Sequence, residues 1–543
     1  MNILVCIKQV PDETVRVSLK PGDAKPDVSE INKKINAFDA CGIEMAAQYI
    51  EKNGGNLVVC SVGDKEVEFV LKRALSVGAT HAFRIPAKLS DGELRIEENV
   101  TASLIRDAIS LMEKEIGGAF DMIICGREST DILGGQVGPV LSQMLDIPFV
   151  YGLVEIEKEE AGDAHIKIEG EGGYSLISEK MPLLCTVVRP DYGVRFPKLM
   201  DRMRSMDAVI PVIDAGNGDS AAKGITGYTA PPAKREGTII EEKDPEKAVA
   251  LAMEVFRKRD LAVSDSTDGA GTGLGVDDVF LADIPLADEA LIVSLLKEAA
   301  EKSGKRLIVL KADRLGKRIA PMLTYRLGLG CANDVSSYSV KADSIEAVRS
   351  VYAGAANESV RLGKSAVISV KGSLFDKLKE EGAVLFSDTD EAKDDRLKEA
   401  ASAHKILEQQ VSTERIINIE DEEIIVCVGR GIAYEDDLYL GQDLADAMGG
   451  VLCGTLPLVE NGWISKDRQV GQSGKTVSPA LYVAAGISGM PQHLVGMADS
   501  KYIIAVNFNK DAPIFQVADL GLVGNMYKLL PELTKAFKEE KLD

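Results

Sequence analysis

The sequence predicts an α/β fold: two related parallel-sheet domains followed by a doubly wound third domain. Three observations predict it. Short apolar runs alternate with amphipathic helical stretches from the N-terminus onward, the pattern of a parallel sheet covered by helices on both faces. A motif recurs, with Asp131-Ile-Leu-Gly-Gly-Gln-Val-Gly-Pro-Val-Leu141 aligning with Asp313-Arg-Leu-Gly-Lys-Arg-Ile-Ala-Pro-Met-Leu323, each after an apolar run at 122–125 or 307–310. Near the C-terminus, two small-residue turns at 469–475 and 486–493 flank Leu481-Tyr-Val-Ala-Ala485, which has the composition of a buried parallel strand.

Taken in order, residues 1–10 read as a first strand, ended by the Pro11-Asp12 turn. Asn36-Ala-Phe-Asp39 opens an amphipathic run to about Glu51, with Asp39 as its expected N-cap. Strands over 56–62, 81–85 and 121–125 and helices over 64–77 and 99–115 complete the first sheet. Ligands of such sheets lie beyond the carboxyl ends of the strands, here 6–8, 62–63 and 126–138. The last of these is a Gly-rich loop entering a helix with Pro139 in its first turn. It is either an anion site or a tight crossover. The second copy of the motif carries Lys317-Arg318 in place of Gly135-Gln136, so no nucleotide is expected there.

After Pro231-Pro232 a helix is predicted over 244–258, with Ala248, Leu251, Ala252 and Val255 on its apolar face. Residues 264–275 form a Ser/Gly-rich linker. The predicted domains are therefore 1–258 with a C-terminal arm, a linker at 259–275, a shortened α/β domain at 276–410, and 411–543. Residues 385–422 are charged and helical in pattern to about Gln410, followed by a hinge candidate at 412–423. The last domain opens with a strand over 424–428, the turn Gly429-Arg430-Gly431 and a helix around 437–448.

Composition narrows the function. A net charge of −22 over 543 residues argues against nucleic acid, which calls for a basic stripe. No apolar run approaches a membrane span, and Met1–Val10 carries no basic leader or cleavage site, so a cytoplasmic protein is expected. The eight cysteines contain no C-x-x-C pair and mostly end apolar runs, as small buried hydrophobes do. With only four histidines, neither a cluster nor a metal site is expected. Gly474-Lys475-Thr476 resembles the end of a P-loop, but Gln469 stands where that motif needs its first glycine. Gly429-Arg430-Gly431 opens like a dinucleotide fingerprint, but Tyr434 replaces the third glycine. Two glycine turns around one strand can aim backbone N–H groups at an anionic ligand, or simply make tight loops.

The stretches VGQSGK (470–475), ISGMPQH (487–493), IIAVN ending at Asn507, and APIFQVAD (512–519) resemble the FAD domain of the electron-transfer flavoprotein α subunit. They stand in that family's order and spacing. KQVPD (8–12), NAFD (36–39) and the 126–139 loop resemble the β subunit. The resemblance implies fused β-like and α-like halves: two adenine nucleotide α-hydrolase-like domains and a C-terminal FAD-binding domain. The usual first strand–helix–strand of the α subunit is missing after Val276.

For FAD the resemblance implies contacts from Arg430 to the diphosphate or ring edge, and from Val470, Gly471 and Gln472 to the isoalloxazine and ribityl region. Ser473 falls beside flavin N5, and Ser488, Gly489 and Gln492 at ribityl and phosphate groups. His493 falls at N1 and O2 as a donor or cation, and Asn507 and Asn525 toward the adenosine. AMP, or a second FAD as in electron-bifurcating members, is implied at Cys6, Asn36–Asp39, Val62 and 122–137, thus at Gly126, Asp131, Gln136 and Val137. The implied role is a redox carrier between a flavin-dependent dehydrogenase and a downstream acceptor, rather than a stand-alone catalyst. A bifurcating protein that oxidises NADH and reduces ferredoxin is an alternative, against which Leu133 stands where those members carry Asp. A non-redox scaffold with a degenerate flavin site is another.

Residues 190–206 resemble the loop that docks on dehydrogenases such as acyl-CoA dehydrogenases, with Phe196 at the apolar anchor. Asp201, Met203 and Met206 interrupt the family's lysines, and the methionines could equally be core residues. Thr455-Leu456 replaces a Ser-Arg whose Arg stacks over the flavin near N5. Loss of that cation predicts a lower first reduction potential.

Overall fold

The computed structural model describes residues 1–12, 17, 19, 25–87, 95–170, 173–188, 193–216, 223–230, 237–258, 278–284, 288–352, 354–389, 404–411, 419, 422–472, 474–498 and 500–540. Two compact units divide the chain, Met1–Ala230 with Ala270–Val411 and Pro231–Gly269 with Ser412–Asp543. The expected linker at 259–275 and most of the hinge candidate at 412–423 lie outside the described residues.

In the first unit, one sheet runs Lys405–Val411, Gly173–Lys180, Asp163–Gly170, Phe149–Glu160, Leu183–Val187, Met122–Gly126, Asn2–Cys6, Asn56–Val62, His81–Ile85. The other runs Lys223–Thr229, Ala356–Leu362, Ile345–Val351, Gly330–Val340, Ala366–Val370, Leu307–Lys311, Val279–Ala282, Val384–Leu385. Ile3, Leu4 and Val5 of the central Asn2–Cys6 strand are all fully buried, as expected where helices cover both faces of a parallel sheet.

The sequence repeat is a structural repeat. Met122–Gly126 leads to the helix Val137–Leu145, a three-strand meander, and a return strand Leu183–Val187 that inserts in parallel between Met122–Gly126 and Phe149–Glu160. Leu307–Lys311 leads in the same way to the helix Gly316–Leu327, a meander, and the return strand Ala366–Val370. The two helices pack on each other. Each meander edge is closed, antiparallel, by a strand from the other half: Lys223–Thr229 joins Ala356–Leu362, and Lys405–Val411 joins Gly173–Lys180. This reciprocal exchange covers two edges that would otherwise offer unpaired backbone groups.

The expectation of helix up to Gln410 is therefore wrong over Lys405–Val411, which is a strand. Its side chains include the exposed Ile406 and Leu407, so backbone pairing with an open edge, rather than side-chain pattern, decides its conformation. Beyond Leu307–Lys311 the second sheet has a four-residue strand and a two-residue strand, where the first has three full strands.

The second unit holds a parallel sheet in the order Thr238–Ile240, Leu520–Val523, Tyr502–Asn507, Leu481–Ala485, Ile424–Val428, Val451–Gly454. The arm that the sequence reading attached to the first domain is grouped here: Thr238–Ile240 pairs with Leu520–Val523, and Phe256 packs edge-on against Phe537 at 5.2 Å. Its helix, Pro245–Arg257, starts at Asp244, whose carboxylate accepts from Glu246 N–H. The buried stripe is Ala248, Val249, Ala252, Met253 and Phe256, and Leu251 is exposed, so the expected face was rotated. From Ile424–Val428 the chain moves outward to Val451–Gly454, then returns to the opposite side with Leu481–Ala485. That reversal opens a crevice beyond the carboxyl ends of Ile424–Val428 and Leu481–Ala485. Among the described residues no helix is long and apolar enough to cross a membrane.

Candidate cofactor site

Two turns meet at this crevice. Gly429 N–H donates to the Ala485 carbonyl (3.0 Å) and Gly431 N–H to that of Gly486 (3.1 Å). The second turn is braced from below: Asn507 Nδ2 donates to the Ile487 carbonyl (2.8 Å), and Ile514 N–H donates to Ser488 (3.1 Å). Gly489 has φ +83°, and a Cβ there would lie 2.2 Å from the Ile514 nitrogen. Ser488 itself is exposed, and among the described residues no backbone carbonyl accepts from the N–H of Ser488 or Gly489.

The first turn does not offer the free amides expected of it. Val470 N–H donates to Gly454, Gly471 to Lys475, Gln472 to Gln492, Gly474 to Gly471 and Lys475 to Gln469, all at 2.8–3.1 Å. A turn this tight consumes its own donors to close, and Gly471, at φ +135°, is what lets it lie against the Gln492 carbonyl. Ser473 lies outside the described residues. Among the described residues of the two turns, the N–H groups left without a backbone acceptor include those of Ser488 and Gly489 in the 486–493 turn.

His493 is buried beside both turns. Its Nε2 lies 3.1 Å from the Tyr482 hydroxyl, while Nδ1 has no close hydrogen-bond partner. Burial pushes its pKa down to about 4, only partly opposed by the Val470 backbone. The ring is therefore neutral at pH 7 rather than the cation that was one of the two expectations. Around it, Arg430 is exposed at the Gly429–Gly431 turn, Gln492 is half-buried, and Thr455 N–H donates to Val428 (3.1 Å). Asn507 and Asn525 do structural work: Asn507 Oδ1 accepts from Asn509 N–H, and Asn525 Oδ1 accepts from Tyr527 N–H at the start of the Met526–Glu540 helix. A buried ring nitrogen without a close partner, turn amides without backbone acceptors and an exposed guanidinium at one switch-point crevice fit a flavin dinucleotide, which offers ring carbonyls and a diphosphate.

The first domain gathers a second set of groups at its strand ends. Asp39 is not an N-cap. The helix starts after Asn36, and the buried Asp39 carboxylate accepts from Lys8 N–H (2.8 Å) and Gly126 N–H (2.9 Å), tying two strand ends to the helix. Burial raises its pKa to about 7, against those hydrogen bonds. Asn36 donates to the Glu128 carbonyl and accepts from Thr130 N–H. Lys8 Nζ reaches both Asp131 oxygens at 2.8 Å. Cys6 sits 3.9 Å from Cys60 sulfur to sulfur, Val62 and Val137 are half-buried, and Gln136 is 1% exposed with neither end of its amide hydrogen-bonded. Ser61 Oγ and Thr130 Oγ1 are also buried without partners. Buried polar groups normally find partners, and this floor leaves several of its own without one. At the second copy, Arg318 is engaged by Glu289 (2.7 Å) and stacks on Tyr151.

Sequence reasoning missed Tyr482 and Ser61. A tyrosine inside an otherwise aliphatic buried strand was the available signal, because its hydroxyl needs a partner. Phe196 is 89% exposed, and Leu199, Met200, Met203 and Met206 are exposed with it. The methionines are not core residues. Their helix, Leu199–Met206, packs on Glu68–Leu75, whose Phe69 adds to the apolar surface.

Comparison with known proteins agrees with this architecture. The electron transfer flavoprotein domain matches residues 27–215 and again 262–404, and the electron transfer flavoprotein FAD-binding domain matches 418–498. The chain is 34% identical over 278 residues to the electron transfer flavoprotein subunit alpha of Thermoanaerobacterium thermosaccharolyticum, covering 49% of this chain and 82% of that protein. It is 33% identical over 272 residues to the protein FixB of Clostridium saccharobutylicum (49% of this chain, 80% of that one). It is 46% identical over 140 residues to the acryloyl-CoA reductase electron transfer subunit beta of Anaerotignum propionicum (25% and 38%). Matched over more than half its length by one family's domains, the chain belongs to the electron transfer flavoprotein family.

Proposed function

We propose that this chain fuses the two halves of an electron transfer flavoprotein, binds FAD in its C-terminal unit, and carries electrons between a flavin-dependent dehydrogenase and a downstream acceptor. The observation that carries this reading is the orphaned, buried Nδ1 of His493 at the switch-point crevice, inside the stretch matched by the FAD-binding domain. FAD supplies the electron-accepting ring when bound. The chain's residues would hold it: Ser488, Gly489 and Gln492 toward phosphate and ribityl groups, Arg430 toward the diphosphate, and Val470, Gly471, Gln472 and Ser473 along the ring. His493 would direct an N–H at N1 and O2, where a reduced ring gathers negative charge. Asn507 and Asn525 would shape the adenosine end. A visible spectrum with cofactor extraction tests the reading. A yellow protein releasing FAD is expected, and a protein that stays colourless after incubation with FAD overturns it.

We further propose a nucleotide at the first-domain site, in contact with Cys6, Asn36, Asp39, Val62, Gly126, Asp131, Gln136 and Val137. The unpartnered Gln136 amide favours it. One FAD plus AMP per chain would indicate simple transfer. Two FAD per chain would indicate bifurcation between NADH, ferredoxin and a higher-potential acceptor. Gln136→Leu removes both unpaired groups, so at least tenfold weaker retention of that nucleotide is expected, with C-terminal FAD content unchanged in the same extract.

The partner dehydrogenase is proposed to dock at Phe196 and the exposed Leu199–Met206 helix. A leucine occupies position 456 in place of the family's arginine. A unit cation ~8 Å from the ring at an effective dielectric of about 20 is worth about 2 kcal/mol. Leu456→Arg is therefore expected to raise the first reduction potential by a corresponding amount in potentiometric titration.

A further inference from the structure

Phe196 leaves almost all of its ring in water, so something other than its own burial must fix the segment that carries it. The neighbouring Arg195 does so. Its backbone N–H donates to Glu44 Oε2 (3.1 Å), its Nε to the same oxygen (2.8 Å), and its Nη2 to Glu44 Oε1 (3.0 Å). The guanidinium also reaches Glu51, with Nη2 3.1 Å from Oε2 and Nη1 on Oε1. Glu44 and Glu51 stand two turns apart on one face of the helix Ala37–Asn53. That helix buries Cys41, Ile43, Met45 and Ala47 in the core of the first sheet, so it is a firm base. Glu44 is only 4% exposed. Burial pushes its pKa up, but Arg195 and Gln48 more than offset this and hold it below the usual carboxylate value.

Beyond Phe196 the chain is held again. Pro197 fixes its own backbone and biases Phe196 toward an extended one. The helix Leu199–Met206 packs on Glu68–Leu75, with Lys72 Nζ 2.9 Å from the Met206 carbonyl. Phe196 therefore stands in a short span anchored at both ends. We propose that Arg195 is a positioning residue for partner docking: by bridging Glu44 and Glu51 it holds residues 193–198 in the conformation that turns Phe196 outward. A partner that buries the ring then meets a segment already in order, and the cost of ordering it on binding falls. The docking half of this inference rests on the dehydrogenase reading above, and the clamp half does not.

Hydrogen–deuterium exchange of the full chain, read by mass spectrometry on peptides covering 193–206, tests the clamp. Arg195→Gln is expected to speed exchange there about fivefold or more, with the Asn2–Cys6 strand unchanged. That variant strands a buried carboxylate, so the double variant Glu44→Gln with Arg195→Gln is run beside it, and the same rise is expected. An acyl-CoA dehydrogenase reduced by butyryl-CoA is the docking probe. Its KM for the FAD-loaded chain should rise about tenfold in both variants, with kcat unchanged. Exchange that stays at the wild-type rate in both variants overturns the proposal, as does faster exchange with KM unmoved. A wild-type chain that takes no electrons from this dehydrogenase, or a Phe196→Ala chain with the wild-type KM, refutes the docking reading instead. The exchange rates then still decide what Arg195 holds.

Discussion

Replacing Gly489 by alanine is expected to destabilise the C-terminal unit by about 3–4 kcal/mol and to strip the protein of FAD. A left-handed backbone costs an alanine about 1–2 kcal/mol. The remainder is steric: the new Cβ would stand 2.2 Å from the Ile514 nitrogen and 2.6 Å from its Cα, backbone atoms with no rotamer to change. Relief requires the 486–489 and 512–516 segments to part, which breaks the Ile514-to-Ser488 hydrogen bond and moves the turn that carries the Ser488 and Gly489 amides. The chain's single tryptophan, Trp463, packs on this unit's core, so its fluorescence in urea titrations reads the loss directly. An unfolding midpoint matching that of the wild type would show that the close approach carries no weight.

The second large effect lies in the first unit. Arg349 is 1% exposed, with Nε 2.9 Å from Glu358 and an Nη 3.0 Å from Glu98. Arg95 bridges the same two carboxylates, and Tyr228 donates to Glu358. Three of these residues, Arg95, Glu98 and Tyr228, come from the first half of the chain and two, Arg349 and Glu358, from the second, so the network joins the paired domains beneath the Gly-rich loop: a Cβ on Gly134 would touch Glu98 at 2.5 Å. Arg349→Ala leaves buried carboxylates short of a cation, with an expected cost of about 3–5 kcal/mol by far-UV circular dichroism in denaturant at pH 7. Burial pushes the Glu358 pKa up, but Arg349 and then Arg95 more than offset it and hold it at about 2. A depressed carboxylate stabilises the fold fully above its unfolded pKa of about 4.3 and loses that contribution as pH falls toward the folded value. The gap between wild type and Arg349→Ala should therefore narrow between about pH 4 and pH 2. A constant gap across that window would mean the network contributes through packing rather than charge.

Much of this site was readable in advance because backbone and pattern dominate it. The strands at 2–6, 122–126, 424–428 and 481–485 are apolar on both faces, and a chain that must bury both faces has few alternatives to a parallel sheet. The repeat at Asp131 and Asp313 survived as two helices in the same topological place. Asp39 was found at the start of the right helix but given the wrong task, since nothing local says that its carboxylate ties Lys8 to Gly126. The first glycine turn was misjudged for the same reason. A run of small residues tells that amides are accessible to something, and not whether that something is a ligand or the turn's own carbonyls.

By itself, then, the amino-acid order determined the α/β class, the internal duplication, the family and the strand ends where ligands belong, because these follow from periodicity and from turns that act within a few residues. Tertiary structure alone decided the strand at Lys405–Val411, the exposure of Met203 and Met206, the placing of Arg349 between two carboxylates, and the contact of Tyr482 with His493. Each of these depends on a partner far away in the chain, and on whether an edge, a surface or a hydroxyl is left unsatisfied once everything nearer has paired.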